Sequence, residues 1–140
     1  MSALSDVFKG IKDVLTGTSG VTDINVHLGA PDAINAFPAV FVTPDNPIDL
    51  LKAFSGNSFS GTMRLTVFIR SGDSEDGWRQ FWDYLDPVQA QTSITRALRS
   101  DPSLNALVDS SQVRQIENVR KADNGVFAFD LLLDYIKSVA

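Results

Sequence analysis

The stretch from Asn124 to Ala140 reads NGVFAFDLLLDYIKSVA and constrains the fold more than any other. Asn-Gly is the strongest short signal for a tight hairpin turn. After it, Phe127, Phe129, Leu131, Leu133 and Tyr135 alternate with Val126, Ala128, Asp130, Leu132, Asp134 and Ile136. A period of two is the signature of a strand with two distinct faces. One face is greasy throughout and belongs under other elements. The second is mixed, too apolar for plain solvent and too polar for a core. The chain must therefore build a sheet with one buried face and one unusual outer face.

Further strands and helices follow from the same periodicities. "LSDVFKGIKDVL" places Leu4, Val7, Phe8, Ile11, Val14 and Leu15 on one helical stripe, and "GTSG" stops it. "TDINVHL" and "FPAVFVTP" read as strands, the second bounded by Pro38 and Pro44. "FSGTMRLTVFIR" is a half-buried strand with Phe59, Met63, Leu65, Val67 and Ile69 inward. Trp78, Phe81, Trp82 and Leu85 mark an amphipathic helix whose aromatic residues are assigned to core packing. Ser93 to Arg99 is a further helix. Asp101-Pro102 has the form of a cap followed by proline at the first helical position, so a short helical turn over "PSLNALV" is expected. In "QVRQIENVRK" the alternation slips between Val113, Ile116 and Val119, which calls for a bulge. The expected fold is one α+β domain over residues 1–140: an antiparallel sheet of about four to five strands with helices on one face.

The connection from Pro44 to Ser58 stands out. It is long for a compact domain and carries Ile48, Leu51 and Phe54, so it reads as a contact arm.

Composition narrows the function. There is no cysteine, which removes disulfides, thiolate metal sites and cysteine nucleophiles. Seventeen acidic residues stand against twelve basic ones, a net charge of -5 that disfavours adhesion to nucleic acid. No apolar run approaches a membrane span, and "MSALSDVFKG" has no secretion-signal pattern. His27 is the only histidine and has no partner near it in sequence, so it reads as structural. "DSEDG" from Asp73 fails the calcium-loop spacing, because Trp78 and Tyr84 occupy positions that need glycine and glutamate. Its carboxylates suit the start of the following helix. The glycine-rich segments lack the endings of phosphate loops and nucleophile elbows. No catalytic residue, metal ligand or cofactor site is assigned, and the chain is read as a non-enzyme.

The last sixty residues carry a resemblance. "GWRQFWDYLDP", "SITRALRSDPSLNALVDS" and "VRQIENVRKADNGVFAFDLLLDYI" together resemble the tail terminator, or tail completion, proteins of long-tailed bacteriophages. The amphipathic first helix and the "FPAVFV" strand extend the likeness over most of the chain. These are packing signatures and carry no chemistry.

The resemblance implies a virion protein assembled in the host cytoplasm and placed at the head-proximal end of the tail. Such proteins form a homo-oligomeric ring, usually a hexamer, on the last tier of the tail tube. The ring ends tube polymerisation and presents the face that joins the head connector. Its partners would be the major tail tube protein and the head–tail connector protein, with genomic DNA passing through the lumen unbound. An acidic lumen would repel phosphates. The mixed outer face then reads as a subunit contact through Asp130, Leu132, Asp134 and Ile136, with Ile48, Leu51 and Phe54 of the arm adding to it. On this reading Leu132 is solvated in the monomer. A neighbouring neck component, a connector or stopper protein, is the alternative; a small-ligand-binding α+β domain is another.

Overall fold

A computed structural model describes residues 3–17, 20–21, 23–29, 34, 36–45, 54–55, 58–72, 74–86, 88, 93–121 and 125–138. The elements run α1 (Ala3–Thr16), β1 (Asn25–Leu28), β2 (Ala39–Pro44), β3 (Phe54–Ser55), β4 (Ser58–Arg70), α2 (Glu75–Leu85), α3 (Ile94–Ser100), β5 (Ser110–Lys121) and β6 (Val126–Ser138). The α+β class expected from the sequence is the class observed.

The sheet has the order β1-β2-β4-β6-β5, with the two-residue β3 paired to β4. Its spine is β4 against β6, antiparallel in unbroken register from Ser58↔Ser138 to Arg70↔Val126. Both strands are thirteen residues long, so the alternation read in each is held across the whole pair. One departure is at the edge, where β1 pairs β2 in parallel, Asn25 opposite Ala39 and Leu28 opposite Val42. The sheet is therefore mixed. Side-chain alternation has the same period in both arrangements, so a strand of four residues does not reveal its direction.

The buried face is the one the sequence identified. Phe127, Phe129 and Leu131 are fully buried, as are Leu65 and Val67 beside them. On α1, Val7, Ile11 and Leu15 are fully buried at four-residue spacing, with Leu4, Phe8 and Val14 packed at the margins. Phe81 of α2 stacks on Phe127 with centroids 4.7 Å apart. Burial pushes the Tyr135 phenol up to about 12.

Local chemistry explains most element ends. Ser74 caps α2 by accepting from the Gly77 amide, and Ser93 caps α3 by accepting from the Arg96 amide. Ser93 also donates to the Asp86 carbonyl. Glu75 and Asp76 lie in the first turn of α2, where the helix dipole favours carboxylates. Asn124 lies outside the described residues, but Gly125 has φ +72°, which suits the hairpin exit. The slip read in β5 is real and double: register shifts fall between Val113 and Gln115 and between Glu117 and Arg120.

The segment after α3 departs from expectation. Asp101 does cap it, accepting from the Ser103 hydroxyl at 2.7 Å and the Asn105 amide at 3.0 Å. These two bonds, the first larger in effect, hold its pKa below the usual carboxylate value. The turn that follows is left-handed, however, with φ of 48°, 57° and 63° at Leu104, Asn105 and Ala106. Such a conformation costs roughly 1–2 kcal/mol per non-glycine residue. It accompanies complete burial of Leu104, which lies against Gly10 of α1.

That contact makes a testable point. A Cβ at Gly10 would lie 2.6 Å from the Leu104 carbonyl oxygen and 2.8 Å from its Cβ. Gly10→Ala should therefore destabilise the chain by about 1–3 kcal/mol, although alanine is the better helix former. Thermal melts of the two chains read the difference. An unchanged or higher melting temperature would show that α1 does not meet this turn closely.

Candidate functional site

The described helices put their buried apolar side chains into one cluster with the inner face of the sheet. No described helix packs on the outer face. There the even-numbered residues of β4 and β6 meet β2 and β5, and three zones follow one another.

At one end lies an aromatic row. His27 meets Phe41 edge-on with centroids 5.8 Å apart, and Phe41 meets Phe68 at 5.2 Å. The Arg120 guanidinium stands 5.9 Å from the Phe68 ring centre. His27 is thus part of a packed surface row, in keeping with its structural reading.

The centre is a charge cluster around Arg64. Its Nη1 is 2.7 Å from Glu117 and 2.8 Å from Asp130, and its Nε is 3.1 Å from Asp45. Asn118 donates to Asp130 at 2.9 Å, and Arg120 lies 3.6 Å from the same carboxylate. Two guanidiniums thus face three carboxylates. Burial opposes the charge on Asp130. Hydrogen bonds from Asn118 and Arg64 and the nearby Arg120 outweigh that, so its pKa is held below the usual value. The hydrogen bond to Glu117, above all, raises the pKa of Arg64.

The third zone is centred on Asp134. It accepts from the Thr62 hydroxyl at 2.6 Å and from Arg114 Nε at 3.1 Å. Ile136 follows at the end of the strand and is 45% exposed.

Asp130, Leu132, Asp134 and Ile136 therefore do share one face, but not one environment. Leu132 is only 3% exposed, so the expectation that it is solvated in the monomer is corrected. Its strand partners are Arg64 and Gln115, whose long side chains flank it. Stems of such residues cover apolar surface while their heads stay in polar company. Ile136 is the apolar residue of the four that solvent reaches. Ile48 and Leu51 lie outside the described residues. Phe54 is in β3, opposite Phe59.

Sequence reasoning missed Arg64, Asp45, Glu117 and Asn118. A signal existed in Arg64, a charge in the middle of a strand that pairs on both sides. It also misplaced two tryptophans. Trp82 is 59% exposed and Trp78 36%, although Trp78 keeps an edge on Phe127 at 4.6 Å. The buried line of α2 runs through Gly77, Phe81, Tyr84 and Leu85, one residue out of phase with the line through Trp78 and Trp82.

Chemically, the face fixes charges. Asp130 is held ionised and Arg64 is held protonated, so neither donates nor takes a proton near neutrality. Among the described residues there is no group of three His, Asp or Glu that could hold a metal ion. No described helix is long and apolar enough to cross a membrane.

No protein-family model matches the chain, and no curated protein matches it. One solved structure of a protein without a functional description aligns over 96% of this chain and 96% of its own, at 16% identity and a TM-score of 0.41. So loose a likeness carries no argument about function.

Proposed function

We propose that this chain is a structural, ring-forming protein that caps the tail tube of a long-tailed bacteriophage at its head-proximal end. Subunits join around the ring through the outer sheet face of one copy and a different patch of the next.

 The ring reading rests on one structural observation together with the likeness of the last sixty residues. A four-strand sheet face without a described helix over it mixes paired charges, aromatic rings and an exposed Ile136, the composition of a subunit contact rather than of open surface. A heterologous contact needs a second, different patch. The exposed Trp82 and half-exposed Trp78 of α2 supply one, and tryptophan is enriched where interfaces bind most strongly. The major tail tube protein lies below the ring and the head–tail connector above it. DNA passes through the lumen, and the net charge of -5 disfavours its sticking there.

Tail-tube length in particles assembled without the chain tests the reading. Tubes of uncontrolled length are expected. Tubes of normal length that fail to join heads would instead assign the chain to the connector or stopper position, and normal infectious particles would remove it from the neck altogether.

A further inference from the structure

Arg70, the last residue of β4, ends the outer face as an exposed cation. Its guanidinium stands 5.3 Å from the centre of the Phe37 ring. Among the described residues no carboxylate and no hydrogen-bond acceptor meets it. A guanidinium laid over a ring uses one of its flat faces and leaves the N–H donors around its rim unengaged. Arg70 is in register with Val126, whereas Ile136 lies opposite Ser60 at the far end of the same strand pair. Arg70 therefore belongs to the aromatic end of the outer face, near Phe41 and Phe68. Arg120, also at this end, is already engaged by Asp130 and by the Asn118 carbonyl.

The opposite layer of the domain carries the complementary groups. Trp82 of α2 is exposed and touches no other ring, whereas Trp78 is held against Phe127. Asp83 follows Trp82 directly, and Asp76 lies roughly two turns before it. Both carboxylates are exposed, and no ion pair or hydrogen bond among the described residues engages either. Glu75, by contrast, is held by Arg79 at 2.7 Å. A large ring left in water beside an unengaged carboxylate suits a cationic partner that can also be stacked upon.

We infer that α2 of one copy docks on the Arg70 end of the outer face of the next, an inference that rests on the ring reading above. Trp82 stacks on the open face of the Arg70 guanidinium, which is then held between Phe37 and Trp82. Asp83 pairs with the rim of the same guanidinium, the geometry that arginine accepts best. A second copy of this chain is the occupant because charge and shape agree: the Arg70 end lacks a ring and an acid, and α2 offers both side by side. The two patches also lie on opposite layers, since Phe81 packs α2 against the inner face while Arg70 projects from the outer one. One copy therefore cannot satisfy its own groups, and the contact is head-to-tail, the kind that closes into a ring. Copies that each carry a net charge of -5 repel one another. A contact between unlike charges offsets that repulsion locally and fixes the orientation.

Charge exchange between the two patches is the test, read by sedimentation velocity over a concentration series. Arg70→Asp, Asp83→Arg and Trp82→Ala should each raise the concentration of half-assembly on the order of tenfold or more. All three positions are exposed, so each variant should keep the parent's circular dichroism spectrum and a cooperative melt. The double variant Arg70→Asp with Asp83→Arg should assemble better than either single one, because the pair forms again with its signs reversed. An equimolar mixture of the two single variants should assemble as well, since alternation places unlike charges at every contact. A parent that assembles beside single variants that assemble equally well would overturn this docking and leave the ring reading standing. A parent that stays monomeric would remove both. Folded single variants that fail to assemble, with no recovery in the double variant or the mixture, would show that Arg70 and Asp83 do not meet and would overturn the docking too.

Discussion

Leu131→Asp is expected to give a chain without a cooperative unfolding transition. Leu131 is fully buried, in register with Leu65 on one side and Ile116 on the other. A carboxylate there meets no partner in the apolar cluster, and the loss of several kcal/mol is compounded by the lost apolar contact. The whole stability of a domain is about 5–15 kcal/mol. Leu132→Asp should be milder but still damaging, at about 2–4 kcal/mol, because Leu132 is 3% exposed. The new carboxylate would have Arg64 opposite it, but would join a cluster that already holds three acids. Ile136→Asp, at a site 45% exposed, should stay within about 0.5 kcal/mol of the parent. Urea unfolding of the three variants at neutral pH gives the order. A Leu132→Asp chain as stable as the parent would mean that the outer face is open to water at its centre.

Arg64→Met should carry the second large effect, and its pH dependence is diagnostic. The substitution leaves Asp45, Glu117 and Asp130 without the cation that joins them. Breaking a buried ion pair by removing one partner costs about 3–5 kcal/mol; solvent reaches 28% of the Arg64 side chain, so screening reduces this to about 2–4 kcal/mol. In the parent, the folded-state pKa of Asp130 lies below its unfolded value of about 3.9. Its contribution is therefore complete above that value and is lost as pH falls through the lower, folded value. In the variant the hydrogen bond from Arg64 is gone while Asn118 and Arg120 remain, so the Asp130 pKa is higher than in the parent and the variant loses less stability than the parent as pH falls from 7 towards and below 4. Melts across this range should show the gap between the two chains closing in acid. A constant gap would mean that Arg64 contributes through packing of its stem and not through its charge.

The parts of the fold legible in the sequence are those set by local periodicity. The faces of β4 and β6 follow from alternation, and the α1 stripe follows from Val7, Ile11 and Leu15. The Ser93 cap is a local hydrogen bond, as is the cap at Asp101. What was not legible depends on distant partners. The Arg64–Asp130 pair spans 66 residues of chain, and no spacing rule connects its ends. The direction of β1 leaves no mark on its side chains. The phase of α2 depends on where Phe81 meets Phe127, and a stripe rich in tryptophan concealed it. The left-handed turn at Leu104 is set by its packing on Gly10, against the propensity of the turn itself. The outer face illustrates both cases: its membership was readable, but the burial of Leu132 within it was not.

Self-association through the outer sheet face is the central claim, and native mass spectrometry of the chain beside Ile136→Asp tests it most directly. The parent should appear as one closed multiple of the 15.2 kDa subunit, seen as rings in negative stain. Ile136→Asp should appear as a folded monomer that still unfolds cooperatively, without the concentration-dependent melting temperature of the assembled parent. A parent chain that stays monomeric at high concentration, or an Ile136→Asp chain that still forms the same ring, would contradict the account.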